Sequence, residues 1–196
     1  MCRSYAGAHR ATGRAGSGPW GGPYDAGMAS DITHIHHVGH VVHDMPAALA
    51  LYRRLGFTVP APAYPALPPR EGADPEPFGA ANTHAEFARD FVELATVVRP
   101  GDRLPADARV VPLRVPTEAL PALLEKVETT RANLAGCLTR FEGLHILMFS
   151  SPGIDAAAAR LTAAGVRHGG VTTVRRPAGA GVEPVRYLEL DGERPG

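Results

Sequence analysis

Residues 32–45 read ITHIHHVGHVVHDM and hold five of the chain's nine histidines: His34, His36, His37, His40 and His43. Alternation along a strand puts Ile35, His37, Gly39 and Val41 on one face, and His34, His36, Val38, His40 and Val42 on the other. Asp44 then stands where a helix N-cap belongs, with Pro46 in the first turn. Leu49, Tyr52 and Leu55 follow at helical spacing, and Gly56 sits where a helix ends. The order is strand, capped helix, glycine stop.

The same order returns at residues 143–166, GLHILMFSSPGIDAAAARLTAAGV. Ile154, Ala158 and Leu161 mark the helix face, and Gly165 ends it. His37 lies 19 residues before Gly56, and His145 lies 20 before Gly165. This is an internal duplication with one residue of slippage. Matching histidines in two repeats converge if the halves pack about a pseudo-twofold axis.

Between the repeats, residues 58–79 carry seven prolines, among them Pro60, Pro62, Pro65, Pro68 and Pro69. A proline has no N–H for a ladder, so a long loop or an irregular edge is expected. Residues 80–88 and 91–98 are strand candidates. On the second, Phe91, Glu93, Ala95 and Val97 share a face. Residues 99–116 read as a connector with some extended character around Val110, Val111 and Val115. Residues 117–135 read as a helix with a stripe of Leu120, Leu123, Leu124 and Val127, which Gly136 interrupts. Residues 170–175 and 184–190 are further strand candidates.

The 196 residues carry no formal net charge and are 44% hydrophobic. That neutrality gives no reason to expect a nucleic-acid or anionic-membrane partner. No apolar run approaches the roughly 20 residues that cross a bilayer. Cys2 and Cys137 form no CxxC pair and no disulfide framework, so a cytoplasmic protein is the default. Of twenty basic residues only Lys126 is a lysine, which reads as codon bias. Residues 1–31 are rich in Gly, Ala and Arg and lack the apolar core of a secretory signal. They read as a flexible tail, or as an extension upstream of a true start at Met28.

With both repeats in view, HHVGHVVHDMPAALALYRRLGF resembles the opening of a vicinal oxygen chelate module, the superfamily of glyoxalases, bleomycin-resistance proteins and extradiol dioxygenases. RFEGLHILMF with GIDAAAARLTAAGV resembles the opening of a second module, and FVEL at 91–94 resembles the strand that closes the first. The resemblance spans roughly residues 33–190. It implies an α+β fold of two βαβββ modules forming a curved mixed sheet around a central cavity. The expected organisation is an extension at 1–31, a first module at 32–98, a connector with a helix at 99–142, and a second module at 143–196 that is incomplete at its C-terminus.

The resemblance also implies a divalent metal, Fe, Mn, Ni, Zn or Mg, held by a histidine and a glutamate of each module. By position these are His37, Glu93 and His145. Two readings of the fourth ligand stand: Glu189 in YLEL, or a strand that this chain lacks. Such a donor set suits borderline or hard cations, and open positions would take neighbouring oxygens of a substrate. Asn82, His84 and Phe87 resemble a cavity-lining stretch of glyoxalase-like proteins. The plainer readings are a strand histidine bonded to a carbonyl for His37, an edge carboxylate for Glu93, and strand-edge polarity for Asn82 and His84. His34, His36 and His40 read as surface or interface groups.

Two functions follow. One is a metal-dependent lyase, isomerase or dioxygenase acting by Lewis-acid activation of a small molecule with adjacent oxygens. The other is a non-catalytic, sequestering protein of the bleomycin-resistance type. Either takes a small-molecule ligand and is compatible with a homodimer.

Overall fold

The computed structural model describes residues 3–7, 31–99, 101–178 and 181–190. Cys2 and Met28 lie outside them. The chain is mixed α+β, with parallel and antiparallel strand pairs and three α-helices among the described residues. It divides into two compact units, one built on His37–Leu147 and the other on Arg3–His36 with Met148–Glu193.

The strands are β1 (Arg3–Gly7), β2 (His34–Val41), β3 (Ala63–Leu67), β4 (Glu76–Pro77), β5 (Ala80–Glu86), β6 (Phe91–Val97), β7 (Arg109–Pro112), β8 (Gly143–Ser150), β9 (His168–Ala178) and β10 (Gly181–Leu190). The helices are α1 (Met45–Arg54), α2 (Leu120–Leu138), preceded by a 3-10 turn at Thr117–Ala119, and α3 (Ile154–Ala163).

In the first unit the strands run β4-β3-β5-β6-β2-β8, with β7 paired to β3. β2 and β6 are parallel, setting His37 beside Phe91, Gly39 beside Glu93 and Val41 beside Ala95. β5 runs antiparallel to β6, with His84 beside Glu93 and Asn82 beside Ala95. Residues paired in this way share a face. One face therefore gathers His37, Gly39, Val41, Asn82, His84, Phe91 and Glu93.

The opposite face is covered by α1. The Asp44 side chain accepts from Ala47 N at 2.9 Å, Pro46 stands in the first turn, and Gly56 closes the helix at φ 95°. Met45, Ala48 and Leu49 pack with Val42, Val59, Ala85 and Leu94. Each large side chain so buried contributes about 1.5–3 kcal/mol of transfer free energy.

Two elements depart from expectation. Residues 63–67 form a strand that contains Pro65. It is tolerated because the pairing with β5 is limited to Ala63, while the Pro65 carbonyl still accepts from Phe78 N at 3.0 Å. Helix α2 runs through Gly136 to Leu138, and its buried residues are Leu134, Cys137 and Leu138. Leu124, assigned to the apolar stripe, is 45% exposed. A mid-helix glycine costs about 1 kcal/mol against alanine, and the burial on either side of it offsets that.

In the second unit β9 and β10 pair antiparallel, and β10 also pairs with β1 through Glu189 and Tyr5. β1 comes from the stretch read in sequence as an extension. Helix α3 begins without a side-chain cap and ends at Gly165, φ 72°. Exposed ion pairs join Arg160 to Asp31 and Arg186 to Asp155.

Candidate functional site

Glu93 is the centre of the β2–β6–β5 face. Its side chain is 17% exposed, and Oε1 accepts from Asn82 Nδ2 at 2.8 Å. Oε2 lies 3.7 Å from His37 Nε2. His37 stacks on Phe91 with ring centroids 4.4 Å apart and planes 17° from parallel. His84 approaches the same ring at 4.4 Å. Phe91 thus separates two imidazoles and holds both near one carboxylate. Strand alternation in the sequence puts Phe91 on the Glu93 face, and its place between two imidazoles comes from the pairing of β2 and β5 with β6.

Burial raises the Glu93 pKa above the ordinary carboxylate value. The Asn82 hydrogen bond and the His84 charge pull the other way. Desolvation is the largest contribution, so the group keeps its proton to higher pH than an exposed glutamate. A cavity of about 300 Å³ opens beside it, lined by Asn82, Thr83, His84, Ala63 and Arg109 among others. Arg109 arrives through the pairing of β7 with β3, a long-range contact that no local pattern in the sequence announces.

His145 is placed differently. A Cβ built on Gly39 would meet Ile146 Cβ at 2.6 Å, so Ile146 is the β8 residue that lies over the His37 face. Alternation then turns His145 to the other face. There it adds to the electrostatic environment of His40. Its Nε2–H donates to the Phe141 carbonyl oxygen at 2.8 Å, and its ring lies 4.2 Å from the Phe141 ring. Its Nε2 is thus committed to Phe141, and its ring lies on the face away from His37 and Glu93. The residues present therefore bring two of the implied ligands together, His37 and Glu93, and direct the third elsewhere. No group of three or more His, Cys, Asp or Glu side chains among the described residues is arranged to hold a metal ion. Glu189 lies on β10 in the second unit.

The remaining assignments divide. Asn82 and His84 belong to the Glu93 cluster. Phe87 is 55% exposed and packs edge-on against Phe57, which borders the α1 core. His40, read as a surface or interface group, is half-buried, with Nδ1 2.8 Å from Tyr52 Oη. Burial lowers its pKa, and the His145 charge adds to this against the opposing pull of Glu142. Glu142 accepts from His43 N at 3.0 Å, which fixes the end of β2.

The sequence profile of the glyoxalase-like domain family matches residues 35–193. The chain belongs to the glyoxalase-like domain family. That family lies within the vicinal oxygen chelate superfamily, which includes enzymes and non-catalytic members. The mixed α+β architecture is consistent with that superfamily's fold. No curated protein is significantly similar to this glyoxalase-like chain. Among the described residues of the glyoxalase-like domain, no helix is long and apolar enough to cross a membrane.

Proposed function

We propose that this glyoxalase-like domain binds a small oxygen-bearing organic molecule on the face of His37, Asn82, His84 and Glu93. In this reading it works without the four-ligand metal set that its sequence motifs imply. The phase of β8 carries the proposal: Ile146, and not His145, lies over Gly39 on that face. Three supports converge on a polar ligand group. Asn82 and His84 line a cavity. Glu93 accepts from Asn82 and sits in a desolvated position that raises its pKa. Arg109 supplies a cation at the cavity wall for an acidic ligand.

A second reading has its own observation. His37 Nε2 and Glu93 Oε2 are 3.7 Å apart, a spacing that a shared divalent ion would also produce. In that reading the protein is a lyase, isomerase or dioxygenase, and the metal supplies Lewis-acid activation of adjacent oxygens.

Elemental analysis separates the two. Purified protein is incubated with Fe²⁺, Mn²⁺, Ni²⁺, Zn²⁺ or Mg²⁺ and dialysed. The expected result is well below one ion per chain, with wild type and His145→Ala alike. One ion per chain, lost in both His37→Ala and His145→Ala, overturns the binding proposal in favour of the enzyme. A thermal-shift screen with small carbonyl and carboxylate compounds supplies the positive arm. Hits should stabilise wild type and fail with His84→Ala and Glu93→Gln.

A further inference from the structure

A second cavity, of about 620 Å³, opens at the N-terminus of α1 and shares no residue with the Glu93 cluster. Asp44, Met45, Tyr64, Thr96, Asp102 and Arg103 are among its lining residues. Thr96 is three residues from Glu93 on β6, and its hydroxyl donates to Val42 O at 2.8 Å on the α1 side of the sheet. The two cavities therefore open on different faces.

Tyr64 is the residue that marks this cavity as a site. It is 3% exposed, and it packs with Ala81 and Val98 against Leu104 and Ala108. Its hydroxyl has no hydrogen-bond partner among the described residues, although it lines the cavity. The hydroxyl is not sealed inside the protein, so a ligand in the cavity can bond to it in place of water. Burial and the carboxylates of Asp102 and Asp44 push the phenol up to about 12, which keeps it a donor.

The charges around it are of both signs. Asp44 Oδ1 is used in capping Ala47 N, and Asp102 Oδ2 accepts from Arg99 N at 2.8 Å. The second oxygen of each carboxylate has no hydrogen-bond partner among the described residues. Arg103 has no carboxylate partner among the described residues and offers a guanidinium for an anion. Pro46, Leu104 and Pro105 supply an apolar wall. The volume falls in the range of about 300–1,000 Å³ typical of small-molecule sites.

We infer that this cavity is a binding site for a zwitterion with an apolar side chain, an α-amino acid. Its ammonium meets Asp44 and Asp102, and its carboxylate meets Arg103 and the Tyr64 hydroxyl. Its side chain lies on Pro46 and Leu104. The inference uses none of the residues in the proposed Glu93 site, so either can fail without the other.

The test is an NMR titration of the full-length protein with L-phenylalanine, L-phenylalaninamide and N-acetyl-L-phenylalanine. The expected result is a saturable shift of amides at 43–46, 96 and 102–106, with a Kd of about 1 mM or tighter. The amide lacks the carboxylate and the acetyl derivative lacks the ammonium, so each should bind at least about tenfold more weakly. Tyr64→Phe and Arg103→Ala should weaken L-phenylalanine by a similar factor, with folding checked by the amide spectrum. No shift at about 20 mM L-phenylalanine overturns the inference. So does equal binding of the three compounds, or binding that survives both substitutions unchanged.

Discussion

β2 and β8 are written in similar terms, HHVGHVV and GLHILMF, each directly ahead of a helix that ends at a positive-φ glycine. Their histidines nevertheless do different things. His37 lies against Phe91 and within 3.7 Å of Glu93, on the face with the cavity. His145 gives its Nε2–H to the Phe141 carbonyl on the other face. The difference is one step of strand phase. A period of two makes such a step total, because every side chain changes sides at once. Similar motifs at similar distances from similar helices do not fix which residue abuts the neighbouring strand.

The contact that sets this phase can be broken directly. Gly39→Ala puts a methyl where Ile146 already stands and should cost about 1–3 kcal/mol in urea unfolding. Combining it with Ile146→Gly, which removes the Cβ at 2.6 Å and the atoms beyond it, should cancel most of the cost of the added methyl, a coupling that distant sites do not show. An additive pair would place Ile146 somewhere other than over Gly39.

The comparison can also be sharpened by moving the imidazole. Ile146→His returns a histidine to the His37 face. It should raise Zn²⁺ or Ni²⁺ affinity by about tenfold or more over wild type, read by competition with a chromogenic chelator. A variant no better than wild type would mean that β8 does not reach the Glu93 cluster. His145→Ala asks the opposite question. It removes one buried hydrogen bond and should cost about 1 kcal/mol, with ligand and metal behaviour unchanged.

The smallest effect is one of pH. Folding raises the Glu93 pKa, so the native protein binds a proton that the unfolded chain releases earlier. That contribution is complete below the ordinary carboxylate range. It is lost as pH rises through the folded value. Glu93→Gln removes the titration. Its stability relative to wild type should therefore grow as pH climbs through that window, as followed by urea midpoints. A difference that stays flat with pH would remove the desolvation argument.

Much of this was legible in the sequence. Asp44, Pro46 and Gly56 bracket α1 by local chemistry alone, and alternation on β6 puts Phe91 and Glu93 on one side. The cluster of His37, Glu93, Asn82 and His84 followed from the same period of two combined with family likeness. The failures share a cause. His145's face depends on which β8 residue meets Gly39, and Arg109's place depends on β7 finding β3. Both are long-range pairings. The end of α2 misled for a related reason: propensity stops at Gly136, while burial of Cys137 and Leu138 carries the helix on. Tyr64 gave no signal, since its environment is assembled from β3, α1 and the 102–106 loop.

The proline-containing strand has one more consequence. A sheet edge with a long run of open N–H groups invites strands from other chains, and added strands lead to chain-to-chain pairing. Beyond β3 the first unit's sheet ends on β7, which is four residues long and closes on Pro112. Behind it β3 carries Pro65 and is followed by Pro68 and Pro69. Such a border offers another backbone very little to join. Concentrated protein should be guarded there against fibre-like stacking, and two copies that associate would do so by side-chain surfaces elsewhere.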